Sequence, residues 1–476
     1  MRRRDFLRLT LLGATTAAFG KEPNSGPKPN VLFIALDDLN DWIRVLNPDA
    51  PIRTPNIARL AARGTLFTHA YCASAACNPS RTAILTGLRP TTSGVYGNRT
   101  DWRRALPNAV TLPQHFMERG YRTMGAGKIF HHHYGGAFHD KESFDDFQMM
   151  PNPPDAPMPR KKLNGLAKYG SRNTDWGPWP ADEADAIDVK TADYIVESLA
   201  LEHEKPFFLA AGIFRPHMPF FAPQRFFDSY PSDNVTMPEM LEGDLDDLPT
   251  GAEALLSPKK WFFRELMKTE KKSPGTWKEA VRSYQACATF ADAQVGRILD
   301  ALDESDYADN TIVVLWSDHG YHLGEKEHWE KFALWEKTNH VPFVVVAPGV
   351  TQAGSRCERP VSLIDIYPTL IELCGLEAKP ELDGVSLVPL LRNPDAGWGR
   401  PALMTYQRGN HAVRDRRWRY IRYADGTEEL YDHEKDPNEW HNAARNPANA
   451  EVIRGLKRWL PKTEAAPGPD MQRPQN

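Results

Sequence analysis

Cysteine is scarce in this chain. There are five among 476 residues (Cys72, Cys77, Cys287, Cys357 and Cys374), an odd number with no Cys-x-x-Cys pair. That excludes a disulfide framework and a paired-thiolate metal site. Charge of one sign is also lacking: the formal net charge is −4, with no global basic signature for nucleic acid, which is not expected as a partner. No internal repeat is visible, and the apolar run from Leu9 to Phe19 is too short to span a bilayer. Proline and tryptophan, by contrast, are plentiful, at 40 and 13 residues, and imply many fixed loops and aromatic surfaces. Such a surface suits carbohydrate handling and equally any loop-rich enzyme. The length allows one large domain and a smaller one.

The first residues read as a targeting segment. Arg2-Arg3-Arg4-Asp5-Phe6-Leu7 precedes the Leu9–Phe19 run and resembles a twin-arginine export signal. It implies the twin-arginine export machinery as a partner and a periplasmic or extracellular location. No lipobox cysteine follows, so no stable membrane anchor is expected.

Apolar runs bounded by turn residues mark buried strands at Val31–Leu36, Pro206–Ala211, Thr311–Trp316 and Phe343–Val346, with shorter candidates at Thr65–Tyr71 and Tyr121–Ala126. Helices are expected at Thr54–Gly64 (Thr54 as cap), Leu112–Gly120, Asp182–Glu204 and Trp277–Asp303. The stripe of the last, with Val281, Tyr284, Ala288, Val295 and Ile298, is assigned a packing role. This alternation predicts an α/β fold, a large sheet, parallel or mixed, covered by helices on both faces. From residue 395 short strands alternate with turns, predicting a smaller antiparallel sheet closed by a helix at Asn449–Leu460 and a loose tail from Thr463. Pro151–Pro180 reads as surface loops over the active face, and Pro231–Pro274 as an insertion with little core. The organisation expected is 1–29 export signal and linker, 30–394 catalytic domain and 395–476 C-terminal subdomain.

In sheets of this kind ligands bind beyond the carboxyl ends of the strands. Asp37, Asp38, His217, Asp318 and His319 all follow strand ends. Adjacent carboxylates at Asp37-Asp38 repel each other unless a cation or donors sit between them, and the chain must turn for both to face one ion.

Cys77-Asn78-Pro79-Ser80-Arg81-Thr82-Ala83-Ile84-Leu85-Thr86-Gly87 reads as a loop entering a helix, with Pro79 at the first helical position and Gly87 as the stop. Cys77 then lies just before a helix N-terminus, where free N–H groups favour an anion, and Arg81 lies about one turn further in. A nucleophile beside an anion cradle suits sulfuryl or phosphoryl transfer; the plainer reading is a buried structural cysteine.

Cys-x-Pro-Ser-Arg with the later Thr-Gly resembles the first sulfatase signature, and Gly120-Tyr121-Arg122-Thr123-Met124-Gly125-Ala126-Gly127-Lys128-Ile129-Phe130-His131 resembles the second. The likeness is to type I sulfatases of the alkaline phosphatase superfamily. The Arg-Pro-His-Met-Pro-Phe run at 215–220, Ser-Asp-His-Gly at 317–320 and Trp329-Glu330-Lys331 resemble the iduronate-2-sulfatase branch. The resemblance implies an alkaline phosphatase-like, mostly parallel sheet and a sulfuric ester hydrolase acting on a sulfated carbohydrate, such as a 2-O-sulfated uronate of a glycosaminoglycan or algal polysaccharide. It implies that Cys77 is oxidised to formylglycine (3-oxoalanine) by a maturation enzyme, before export of the folded chain. The aldehyde hydrates to a diol; one hydroxyl attacks sulfur, and the other then expels sulfate, a step a serine lacks.

By position, Asp37, Asp38, Cys77, Asp318 and His319 correspond to the metal set. Three carboxylates favour a hard cation, one imidazole leaves zinc or manganese open, and the resemblance selects calcium. Arg81 would stabilise the hydrate and the approach of the anion, Lys128 and Lys331 would hold the sulfate oxygens, His131 would assist the diol and its collapse, and His217 would protonate the leaving oxygen. Trp102, Arg103 and Arg104 are candidate sugar contacts. The rival readings are a phosphodiesterase or phosphonate hydrolase of the same superfamily and a non-catalytic binder of sulfated glycans.

Overall fold

A computed structural model describes residues 28–131, 138–151, 155, 157–258 and 260–472. The export signal lies outside the described residues. No described helix is long and apolar enough to cross a membrane.

The core is an eight-stranded mixed sheet. Its strands are β1 (Asn30–Asp37), β2 (Thr65–Phe67), β3 (Arg122–Gly127), β4 (Asp146–Gln148), β5 (Phe207–Pro216), β6 (Thr311–Ser317), β7 (Phe343–Val346) and β8 (Ser355–Cys357), in the order β8-β2-β7-β6-β1-β5-β3-β4. β1 lies parallel between β5 and β6, and only β7 runs antiparallel to its neighbours. The central strands are buried along their length, as their unbroken apolar runs require.

Alternate side chains enter two cores. Leu32, Ile34 and Leu36 pack with the helices Ile187–Leu199 and Thr276–Asp303. Val31, Phe33 and Ala35 face the helices Cys77–Thr86, Leu112–Glu118 and Ile366–Leu373. Beyond the main sheet, β9 (Ala402–Thr405), β10 (His411–Arg414), β11 (Trp418–Arg422) and β12 (Glu428–Asp432) form an antiparallel meander, covered on one face by the helix Ala450–Lys457. The fold is thus the expected one: a large, mostly parallel sheet between helices, with a smaller antiparallel sheet and helix.

Several local expectations are corrected. Thr54 precedes the helix Pro55–Ala61 without a side-chain capping bond. The Thr65–Tyr71 segment breaks after Phe67, and Ala70–Tyr71 pairs with Val361–Ser362 in a separate ribbon. Pro231–Pro274 is not coreless: it forms the helices Thr250–Leu256 and Lys260–Lys272, and Ala252, Leu256, Phe263 and Leu266 are buried. Neither the density of polar residues nor the prolines of this segment signals the short apolar faces of these helices. The tail is docked: the N–H groups of Ala465, Gly468 and Met471 donate to the carbonyls of Thr91, Gly94 and Arg99 at 2.8–2.9 Å. Such backbone pairing leaves no hydropathy signal.

Candidate active site

β1 ends in Asp37, and the chain turns at once: Asp38 has φ 66°, a left-handed conformation rare outside glycine. The turn brings both carboxylates to one space, which an extended strand would forbid. Tyr284 holds it. Its hydroxyl donates to the Asp38 carbonyl at 2.7 Å and accepts from the Asn40 N–H at 3.0 Å. The purely packing role expected for Tyr284 is therefore corrected; the clue available in the sequence was a buried hydroxyl that needs a partner amid an apolar stripe.

The helix begins at Cys77 itself, with Ala76 as its extended cap, so Cys77 occupies the first turn and Pro79 lies two residues inside. This corrects the expectation of Pro79 at the first position. Gly87 closes the helix in the left-handed region at φ 71°, as expected. The entire helix is buried, and Ser80 Oγ anchors it by donating to the Asp318 carbonyl at 2.6 Å.

The side chains singled out from the sequence converge here. Cys77 Sγ lies 3.2 Å from His319 Nε2, 3.3 Å from Lys331 Nζ and 3.7 Å from Asp37 Oδ1. Lys128 Nζ donates to Asp37 Oδ2, and Lys331 Nζ to both Asp38 oxygens at 2.9 and 3.1 Å. Arg81 Nε donates to Asp318 Oδ2 at 2.8 Å, its Nη1 reaches the carbonyls of Lys128 and Ile129, and its Nη2 reaches that of Leu36 at 3.4 Å. Lys128 is delivered by a close approach of β3 to β5: a Cβ on Gly212 would lie 2.4 Å from the Lys128 backbone. His131 stands beside Cys77, near enough for each to influence the other's protonation. His217 is the most open of the group: its Nδ1 meets the Met218 carbonyl at 2.6 Å, and its Nε2 lies 3.9 Å from Asp38.

Burial opposes every charge in this cluster, and the partners decide the outcome. For Cys77, burial favours the thiol, but Lys128, Lys331 and His319 outweigh it and hold its pKa well below the ordinary value. Asp37 is likewise held low, by Lys128, His217 and Arg81 against burial. Burial wins at Asp318, whose carboxyl rises to about 6 despite Arg81. It wins at His131 too, which falls to about 4. His319 rises to about 9, because Asp318, Cys77 and Asp38 overcome burial.

The donor set suits a metal ion. Single ligand atoms of Asp37, Cys77, Asp318 and His319 lie within 4.8 Å of one another, and Asp37, Asp38, Cys77 and His217 form an overlapping group. His319 Nδ1 is engaged by the Gly320 carbonyl at 3.0 Å, which leaves Nε2 turned into the cluster as a ligand nitrogen.

The candidate sugar contacts fare differently. Trp102 is buried against Phe130, with ring centroids 5.2 Å apart, and Arg103 pairs with Asp140, so both are occupied in packing. Arg104 is exposed. The 151–180 region is not all loop, since Trp176–Pro178 is a strand paired with Phe220–Ala222. A further tie supports the site: Asp188, from the helix Ile187–Leu199, accepts the N–H groups of Phe214 and Arg215 at 2.6 and 3.0 Å and steadies the segment that leads to His217. A helical acid aimed at a strand 26 residues away leaves no pattern in the sequence.

Comparison with known proteins gives the family of the chain. The sulfatase family model matches residues 29–376, and the model for the C-terminal part of N-sulphoglucosamine sulphohydrolase matches 324–466. A sulfatase of Formosa agariphila is 40% identical over 454 residues, spanning 92% of this chain and 87% of that one. The iduronate 2-sulfatase of Homo sapiens is 32% identical over 426 residues, spanning 78% and 74%. Among solved structures, a phosphonate monoester hydrolase from Silicibacter pomeroyi superimposes with a TM-score of 0.75 at 22% identity, over 90% of this chain and 94% of that one. A 2-O GAG sulfatase superimposes with a TM-score of 0.69 at 22% identity, over 90% of each chain. At such identities the structural likeness speaks for the fold alone. The sequence relatives and the family model, which covers most of the chain, carry the assignment: this chain belongs to the sulfatase family.

Proposed function

We propose that the protein hydrolyses sulfate esters of a carbohydrate, with position 77, oxidised to formylglycine, as the nucleophile. The observation that carries the reading is the seat of Cys77: its sulfur lies within 3.7 Å of His319, Lys331 and Asp37, at the first turn of a buried helix. A structural cysteine does not need three charged neighbours.

Asp37, Asp38, Asp318 and His319, with the side chain at 77, would hold calcium, which supplies Lewis-acid polarisation of a sulfate oxygen. Lys128 and Lys331 flank position 77 and are positioned to receive sulfate oxygens as charge builds on them. Arg81 orients Asp318 and adds positive charge beneath the anion. His131 takes and returns the proton of the hydroxyl at 77. His217, at the open edge with its Nε2 3.9 Å from Asp38, donates a proton from Nε2 to the departing sugar oxygen.

The substrate we favour is a sulfated uronate. Support comes from the relative named iduronate 2-sulfatase, 32% identical to this chain. The Arg2-Arg3-Arg4 start supports export by the twin-arginine route after maturation of Cys77.

The test is a panel of 4-nitrophenyl sulfate, 2-O-sulfated uronate disaccharides and phosphodiesters, run beside mass spectrometry of the Cys77 peptide. Sulfate ester turnover with an aldehyde at 77 is expected. Preference for phosphodiesters, or an intact thiol in active protein, overturns the reading.

A further inference from the structure

The C-terminal sheet carries a second cavity that shares no residue with the cluster around Cys77. Its volume is ≈ 490 Å³, and it is walled by the β10–β11 turn, by the segment from Trp398 to Pro401 ahead of β9, and by the end of the helix Ala450–Lys457. Ligand sites commonly measure about 300–1,000 Å³. The cavity stands at the far end of the sheet from the active site. Thr405 donates to the carbonyl of Ala73, just ahead of Cys77, and pairs with His411; Arg414, at the other end of β10, pairs with Ala402 and Arg419.

Positive charge is concentrated there. Arg359, Arg400, Arg416, Arg417 and Arg458 line the cavity, against one carboxylate, Asp415. Asp415 is already engaged, accepting the N–H groups of Arg417 and Trp418 at 2.8 and 2.6 Å. Arg417 lies bidentate on Asp432 at 2.7 Å, and Arg416 pairs with Glu358. Arg359, Arg400 and Arg458 form no salt bridge among the described residues; Arg359 and Arg458 donate to the carbonyls of Asp395 and Gly455. Three guanidinium groups with spare donors thus border one concavity.

Three indoles share the same wall. Trp398, Trp418 and Trp459 line the cavity. The Trp398 N–H donates to the Pro360 carbonyl at 2.8 Å, which fixes that ring, and Trp459 is 38% exposed. Exposed tryptophan beside arginines without a salt bridge suits a ligand with both an apolar face and an anion.

We propose that this cavity is a second glycan site, which holds a sulfated segment of the polysaccharide away from the ester being cleaved. The choice of ligand class rests on the sulfatase reading above. The guanidinium forks meet sulfate oxygens in bidentate geometry, and the indole faces take the C–H faces of sugar rings. A neutral glycan lacks the first interaction. Holding the polymer at a second point raises the effective concentration of its sulfate esters at Cys77 without changing the chemistry there.

The test is affinity electrophoresis of the Cys77→Ala protein through gels containing heparin, iota-carrageenan or ulvan, with dextran and single-stranded DNA as controls. Retardation by at least one sulfated polymer, and by neither control, is expected. In the same background, Arg400→Ala/Arg458→Ala/Trp459→Ala should weaken that retardation about tenfold or more, through loss of two charge-assisted contacts and a stacking face. Arg458→Glu, a single exposed replacement, should weaken it in the same direction with an unchanged Tm. Passage of the parent through all three polymers, undiminished retardation of both variants, or equal retardation by DNA overturns the proposal. Retardation does not depend on turnover. A failed activity panel with retardation intact therefore counts against the nucleophile at 77, not against this site.

Discussion

Replacing Tyr284 by Phe removes one oxygen and leaves the ring. The hydroxyl bridges the Asp38 carbonyl and the Asn40 N–H, and all three residues are fully buried. Each buried polar group left without a partner costs about 1–3 kcal/mol, so the pair costs about 2–4 kcal/mol after partial relaxation. No cavity contributes, because the ring still stacks on Tyr321 at 5.8 Å between centroids. The loss falls on the turn where Asp38 holds φ 66°, a conformation that itself stores about 1–3 kcal/mol and persists only while its surroundings enforce it. Asp38 then spends part of its time away from Lys331, and turnover should fall about 10–100-fold, as for other residues that orient metal ligands. Urea denaturation reads the first effect, and kcat on a sulfated substrate reads the second. A Tyr284→Phe protein with an unshifted midpoint and undiminished kcat would refute the bridging role.

Three further outcomes are expected. On the proposed calcium site, chelation with EGTA should abolish activity and lower Tm, because the buried carboxylates would lose the cation between them, and calcium should restore both; unchanged activity after exhaustive chelation counts against the metal set Asp37, Asp38, Asp318 and His319. Glu336 accepts from Tyr71 at 3.0 Å and Arg414 at 3.1 Å and pairs with Arg419, with these arginines overcoming burial to hold it well below the usual carboxylate range. Glu336→Gln should therefore cost about 3–5 kcal/mol in urea denaturation, and a loss under 1 kcal/mol refutes its role in seating the C-terminal sheet. His69 is held neutral to about 3 by burial, His340 and Arg414, so the unfolded chain binds more protons below about 6.5 and stability falls as pH drops from there toward 3. His69→Gln should flatten that part of the urea midpoint against pH, and an unaltered slope excludes His69 as its source.

Much of the site was readable because it sits where strands end. Asp37, His217, Asp318 and His319 follow apolar runs long enough to be recognised, and ligand sites in such sheets lie at those ends. The helix at Cys77 was readable from its motif, though its first residue was displaced by two positions because Pro79 is tolerated anywhere in the first turn. The partners of Tyr284, Ser80 and Asp188 were not readable, even where, as at Tyr284, a buried hydroxyl announced that it needed one. Each acts across more than 20 residues of sequence on a backbone group, and backbone groups are the same in every residue.

The amino-acid sequence by itself determined the alternation of strands and helices, the strand ends that carry the acids, and the motifs that place the chain among sulfatases. These depend on local periodicity and residue chemistry, which a linear reading preserves. Only the tertiary structure decided how the charges pair: Lys128 on Asp37, Lys331 on Asp38 and Arg81 on Asp318, from positions up to 293 residues apart. It also gathered the arginines and tryptophans of the second cavity from four separate segments. The energy of a charge depends on its distance from partners and its depth below solvent, and both are properties of the packed chain alone.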